Sequence, residues 1–122
     1  MGLKVLVVDD EEDIVEVIQD RLENYGVTVV TARTGVEALK KLSLGKFDGI
    51  LLDIRMPEMD GLEALQRIRE MDKKIPIIII TAFSNKDAAL EALLKEANDY
   101  ILKPFEWDEL KTKIEKVCNI TL

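Results

Sequence analysis

The chain has 122 residues, 48% hydrophobic and 34% charged, which is enough apolar material for the core of one domain and too little sequence for two. Its 24 acidic and 17 basic side chains leave a net charge of −7, a balance that repels phosphate backbones and argues against direct nucleic-acid binding. Histidine is absent, which excludes a histidine general base, a Ser-His or Cys-His nucleophile pair, a histidine metal ligand and a histidine phosphoryl carrier within this chain.

Leu3 to Val8 is a short valine-rich run suited to a strand buried on both faces. Apolar residues at Ile14, Val17, Ile18, Leu22 and Tyr25 predict a helix over 11–25, stopped by Gly26, which accepts positive φ. Val27 to Ala32 reads as the second strand. Thr34-Gly35-Val36-Glu37 reads as a capping box opening a second helix, with Val36, Leu39 and Leu42 inward. Asp48 to Leu52 contains the third strand. Pro57 and Gly61 bracket a turn before a helical stripe at Leu62, Leu65 and Ile68. Pro76 precedes the β-branched run Ile77-Ile78-Ile79-Ile80, a fourth strand. Ser84 is placed to cap a helix running to about Lys95, Asp99 to Leu102 is a short fifth strand, and Trp107, Leu110, Ile114 and Val117 mark the last helix.

The alternation predicts one α/β domain over 1–122, a doubly wound five-stranded parallel sheet with helices on both faces, because parallel strands need crossover helices. The longest uncharged apolar run, Ile75 to Phe83, is too short to cross a bilayer, and no membrane association is expected. No signal-peptide pattern precedes Lys4–Val8, and one cysteine, Cys118, makes no internal disulfide; a reducing cytoplasm is the expected location.

Polar residues follow four of the buried strands: Asp9-Asp10 the first, Asp53 the third, Thr81 the fourth and Lys103 the fifth. The carboxyl edge of an open α/β sheet is where ligands bind, at the point where strand order reverses. With the order 2-1-3-4-5, Asp9, Asp10 and Asp53 share one crevice. Three carboxylates together repel one another, and a hard divalent cation resolves the conflict. Mg2+ suits such a site, with Asp9 and Asp10 as ligands and the backbone carbonyl of Arg55 as a further contact. Asp53 can then act as a nucleophile toward phosphorus, with Lys103, the Thr81 hydroxyl and the Ala82 amide holding phosphoryl oxygens. Blander readings stand beside these: Asp9 and Asp10 as helix caps, Asp53 as a turn residue, Lys103 as a surface lysine, Thr81 and Tyr100 as packing, Trp107 as core or interface packing, and Cys118 as a bystander.

Over essentially its whole length the chain resembles a response-regulator receiver domain with a flavodoxin-like (βα)5 fold. The pieces that carry the likeness are Val7-Val8-Asp9-Asp10-Glu11, Leu52-Asp53-Ile54-Arg55-Met56-Pro57-Glu58-Met59-Asp60-Gly61, Ile80-Thr81-Ala82 and Asp99-Tyr100-Ile101-Leu102-Lys103-Pro104-Phe105. The resemblance implies that Asp53 accepts a phosphoryl group from a phosphohistidine on a sensor histidine kinase or histidine phosphotransfer protein. It implies Mg2+ held by Asp9, Asp10 and Asp53, and phosphoryl contacts from Lys103 and Thr81. It also implies a switch, in which Thr81 moves, Tyr100 follows, and the surface of the fourth helix, fifth strand and fifth helix changes its affinity for a downstream target or effector domain, or for a second copy as a phosphorylation-dependent dimer. Lys103-Pro104 is expected to be a cis peptide. Glu96 replaces the usual glycine at the end of the fourth helix, so a different ending is expected there. Arg55 and Phe83 occupy the positions that tune dephosphorylation, and a bulky Phe83 predicts a long-lived phosphoryl group.

Competing functions fit less well. A haloacid-dehalogenase-like phosphatase places a second aspartate where this chain has Arg55. An FMN binder needs a phosphate-cradling first loop, and Asp9-Asp10-Glu11-Glu12-Asp13 would repel phosphate. A receiver-like scaffold that works without phosphorylation is the remaining alternative. The output and the question of a stand-alone chain or a domain of a larger regulator stay open in the sequence.

Overall fold

Successive residues of a strand point to opposite faces of a sheet, so a strand apolar at every position must be covered on both sides. β3 (Gly49–Asp53) and β4 (Ile77–Thr81) are buried throughout. The structure, a computed structural model, describes residues 2–54, 61–81 and 96–122. Arg55, Ala82, Phe83 and the helix expected to open at Ser84 lie outside the described residues. The other elements are β1 (Lys4–Val8), α1 (Glu12–Glu23), β2 (Thr28–Ala32), α2 (Gly35–Leu44), α3 (Gly61–Met71), β5 (Asp99–Leu102) and the C-terminal helix α4 (Trp107–Cys118). The five strands are parallel in the order β2-β1-β3-β4-β5, the doubly wound arrangement expected of the alternation.

The pleat sorts the core into two layers. Leu6, Val8, Ile50, Leu52, Ile77 and Ile79 face α2 and α3, where they meet Ala38, Ala64, Leu65 and Ile68. Val5, Val7, Leu51, Ile78 and Ile80 face the other way, toward Ile18 and Leu22 of α1 and Leu110 and Ile114 of α4. Cutting a fully buried side chain such as Ile79 back to alanine would cost about 2–5 kcal/mol.

Local chemistry sets the ends of the helices. Thr34 Oγ1 accepts from Glu37 N at 3.0 Å, and Glu37 Oε2 reaches back to Arg33 N at 3.1 Å, so the predicted capping box forms with its return bond one residue earlier. Gly26 closes the turn after α1 at φ 82°. Glu96 stands at φ 75°, in the left-handed conformation that a glycine adopts freely, and the end of the helix expected before it lies outside the described residues.

Two expected inward residues point out. Val36 is 48% exposed, because the buried face of α2 runs through Gly35, Ala38, Leu39 and Leu42, and Val36 lies nearly opposite Ala38. Val17 is 56% exposed at the edge of an α1 stripe centred on Ile14, Ile18 and Leu22. Tyr25 lies beyond the end of α1 and is half exposed, stacked on Trp107 with ring centroids 6.3 Å apart.

Candidate functional site

The register carries four polar residues to one edge. Val8 pairs with Leu52, Asp53 with Ile80, and Thr81 with Leu102, so the carboxyl ends of β1, β3, β4 and β5 lie side by side. The ladder runs one residue past two of these strands. Asp9 N donates to Ala32 O at 3.0 Å, and Lys103 N donates to Thr81 O at 2.7 Å. Asp9 and Lys103 are therefore held by sheet hydrogen bonds although both lie beyond their strands. The Lys103-Pro104 peptide is cis, as expected.

Asp9, Asp53 and Thr81 are buried, at 1%, 3% and 1% exposure, while Asp10 is exposed. Asp9, Asp10 and Asp53 each offer an oxygen within 4.8 Å of the others, a group of ligand atoms able to hold a metal ion. The cluster is all oxygen, which suits a hard cation. Asp9 and Asp10 are not caps of α1: its N-cap is Glu11, whose own side chain makes no capping bond. Asp9 Oδ1 instead accepts from Glu11 N at 2.9 Å, fixing the start of the helix against the carboxylate cluster.

Lys103 answers the negative charge. Its Nζ lies 2.7 Å from Asp9 Oδ2, 2.8 Å from Glu11 Oε1 and 3.3 Å from Asp53 Oδ2, with only 6% of its side chain exposed. Burial works against the ammonium, but hydrogen bonding to Asp9 and Glu11 and the charges of Asp53 and Asp9 outweigh it and hold Lys103 protonated well above the ordinary lysine range. Asp9 Oδ2 is fully buried, meets Lys103 Nζ as an ion pair, and has no further hydrogen-bond partner among the described residues. A buried carboxylate oxygen in this condition is open to a cation. Among the described residues, one ammonium faces the carboxylates of Asp9, Asp10, Glu11 and Asp53, and a divalent ion fits the remaining negative charge.

Gly61, read from the sequence only as one end of a turn, shapes the floor of the site. Its N–H donates to Ile54 O at 3.0 Å, and a Cβ on it would lie 2.1 Å from Ile54 Cα and 2.4 Å from Asp53 O. Only glycine lets α3 begin this close to the strand end that carries Asp53. Two other residues gained importance only in three dimensions. Glu11 lies 92 positions from Lys103 in the chain, and Arg69 is tied to Asn98 across 29. Neither link has a local sequence signature. Tyr100 is half-buried against the α2–α3 layer, at the edge of the sheet.

A family model for the response regulator receiver domain matches residues 5–115. The chain belongs to the response regulator receiver domain family. It is thus a signalling domain of two-component systems. Among curated proteins it is 41% identical over 117 residues to the transcriptional regulatory protein ZraR of Klebsiella oxytoca, an alignment covering 96% of this chain and 26% of that protein. The receiver chain spans about a quarter of the length of the ZraR relatives it matches. Among solved structures, the response regulator TrrA of Thermotoga maritima, determined in complex with Mg2+ and BeF, is 41% identical at a TM-score of 0.85, covering 94% of this chain and 98% of that one. The receiver domain of a sensor histidine kinase from Pseudomonas aeruginosa, with a magnesium ion coordinated in its active-site cleft, is 30% identical at a TM-score of 0.88, covering 98% of this chain and 99% of that one.

Proposed function

We propose that this receiver is switched by phosphorylation of Asp53, with Asp9, Asp10 and Asp53 holding Mg2+ and Lys103 and Thr81 contacting the phosphoryl group. The observation that carries the reading is the buried Lys103 ammonium beside both Asp9 and Asp53. A bound Mg2+ supplies positive charge for the phosphoryl oxygens in transit. The remaining steps belong to the chain. An Asp53 carboxylate oxygen forms a bond to phosphorus as the P–N bond of a phosphohistidine breaks, and the electron pair passes to the ring nitrogen. Lys103 holds the acceptor carboxylate in place and neutralises charge on a phosphoryl oxygen. Thr81 ends β4, its backbone carbonyl accepting from Lys103 N, and its hydroxyl is the further donor we assign to the phosphoryl group.

The donor is a phosphohistidine on a sensor histidine kinase or histidine phosphotransfer protein, and the domain assists its own phosphorylation and dephosphorylation. Beside Lys103, an apolar groove lined by Ile14, Val17, Ile18, Pro104 and Phe105 gives that donor a surface to rest on. The whole of 1–122 acts as a single receiver in the cytoplasm. Thr81 and Tyr100 are its switch, and a downstream target, effector domain or second copy reads it; the net charge of −7 disfavours direct contact with nucleic acid. Among the described residues no helix is long and apolar enough to cross a membrane. The Arg55 carbonyl as a metal contact, the Ala82 amide and the tuning roles of Arg55 and Phe83 remain part of the proposal. Incubation with a phosphohistidine protein and Mg2+ tests the reading: transfer to the wild type and none to Asp53→Ala supports it, and equal transfer to both removes it.

A further inference from the structure

Lys103 is shared in an uneven way. Asp9 and Asp53 are buried and fixed by their strands, but the third carboxylate on the ammonium belongs to Glu11, whose side chain is 54% exposed. Glu11 is the N-cap of α1, yet its carboxylate accepts no capping hydrogen bond from the helix end. Its backbone is tied to Asp9 Oδ1, which aims the side chain across the mouth of the crevice toward Lys103. A phosphoryl group on Asp53 would bring negative oxygens to this same ammonium. Glu11 and that group are then like charges competing for one donor, and Glu11 alone of the three carboxylates has open solvent to move into.

We propose that Glu11 is a displaceable counter-ion, a positioning residue that occupies Lys103 while Asp53 is unmodified and must release it before Lys103 can bind a phosphoryl group. This inference rests on the reading of Asp53 as the phosphoacceptor. Glu11 stabilises the resting crevice by balancing the ammonium and sets how readily the phosphorylated state forms. Glu12 provides the contrast. It is the next residue and similarly exposed, but its carboxylate pairs with Arg33.

Calorimetric titration of the folded chain tests the idea, first with MgCl2 alone and then with beryllofluoride, a phosphoryl mimic, at saturating Mg2+. In Glu11→Gln, beryllofluoride should bind about three- to tenfold more tightly than in wild type, the scale of a partly exposed ion pair, while Mg2+ alone binds equally or more weakly. Glu11→Asp, one methylene shorter, should fall between the two. Glu12→Gln removes the same charge from the same turn and should leave beryllofluoride affinity at the wild-type value. Equal beryllofluoride binding in wild type and Glu11→Gln, an equal gain in Glu12→Gln, or joint weakening of both ligands in Glu11→Gln overturns the proposal while leaving the phosphoacceptor intact. Beryllofluoride binding that is absent from wild type, or undiminished in Asp53→Ala, overturns the phosphoacceptor reading itself.

Discussion

Gly61 and Ile54 approach so closely that the hydrogen on the Gly61 α-carbon occupies the only space available, since a methyl group there would stand 2.1 Å from Ile54 Cα. The neighbouring atoms are backbone, so no side chain can swing aside to make room. Gly61→Ala must therefore move either the first turn of α3 or the end of β3. The expected loss is about 1–3 kcal/mol of stability by denaturant unfolding, with phosphorylation at Asp53 falling further than stability alone explains. An alanine variant with wild-type stability and phosphorylation would contradict the contact.

Arg69 is a buried clamp among carbonyls. Its Nε donates to Glu96 O at 2.9 Å and its terminal nitrogens to Ile75 O at 2.7 Å and Asn98 Oδ1 at 2.9 Å, joining α3 to the turns that enter β4 and β5. Asn98 Oδ1 also accepts from Ile77 N at 2.9 Å, so the clamp reaches the first residue of β4. Arg69→Met should cost about 1–3 kcal/mol through the carbonyls left unpaired. Arg69→Lys should recover less than half of that, because a single ammonium cannot span the fork. Urea unfolding of the three proteins measures the order.

Mg2+ should stabilise the fold through the carboxylate cluster. At a concentration about a hundredfold above its dissociation constant, an ion that binds only the folded chain adds about 2.7 kcal/mol. The melting temperature of wild type should rise with MgCl2 and return on chelation, and the rise should vanish in Asp9→Asn/Asp10→Asn. A shift of equal size in that double variant would move the metal elsewhere.

Cys118 offers a pH test at the far end of the sheet. Burial, followed by the charge of Asp48, pushes its thiol up to about 11 from the usual 9.0. A raised pKa keeps the proton on sulfur, so at pH 8 the folded chain holds about a hundredth of the thiolate of an unfolded one. Iodoacetamide should label the folded protein about a hundredfold more slowly at pH 8, and the rate should climb steadily toward pH 11. Equal rates in native buffer and in urea would contradict this environment.

The strands and their order were legible because β-branched runs such as Ile77–Ile80 admit few alternatives, and the site followed because Asp9, Asp53, Thr81 and Lys103 each stand at or just past a strand end. Such residues inherit their place from the sheet, so the end of each continuous apolar run locates them. Helix faces were less legible. Val36 looked inward because it is apolar, but three-dimensional phase, set by Ala38 and Leu39, turned it to solvent. Contacts that depend on where a long side chain reaches had no local signature at all. Nothing near Glu11 announces Lys103, and nothing near Arg69 announces Glu96 and Asn98. Gly61 belongs to a third kind: its position was visible, but its reason, a backbone pressed against Asp53 and Ile54, appears only when β3 and α3 are placed together.

The most direct test is chemical trapping at one residue. After phosphorylation with a small-molecule donor and Mg2+, borohydride converts an aspartyl phosphate to homoserine, and peptide mass analysis locates it. Homoserine is expected at position 53 and at no other aspartate, with none formed when Mg2+ is chelated. Homoserine at position 9 or 10, or an unmodified chain under conditions that leave the donor intact and the ion bound, would contradict it.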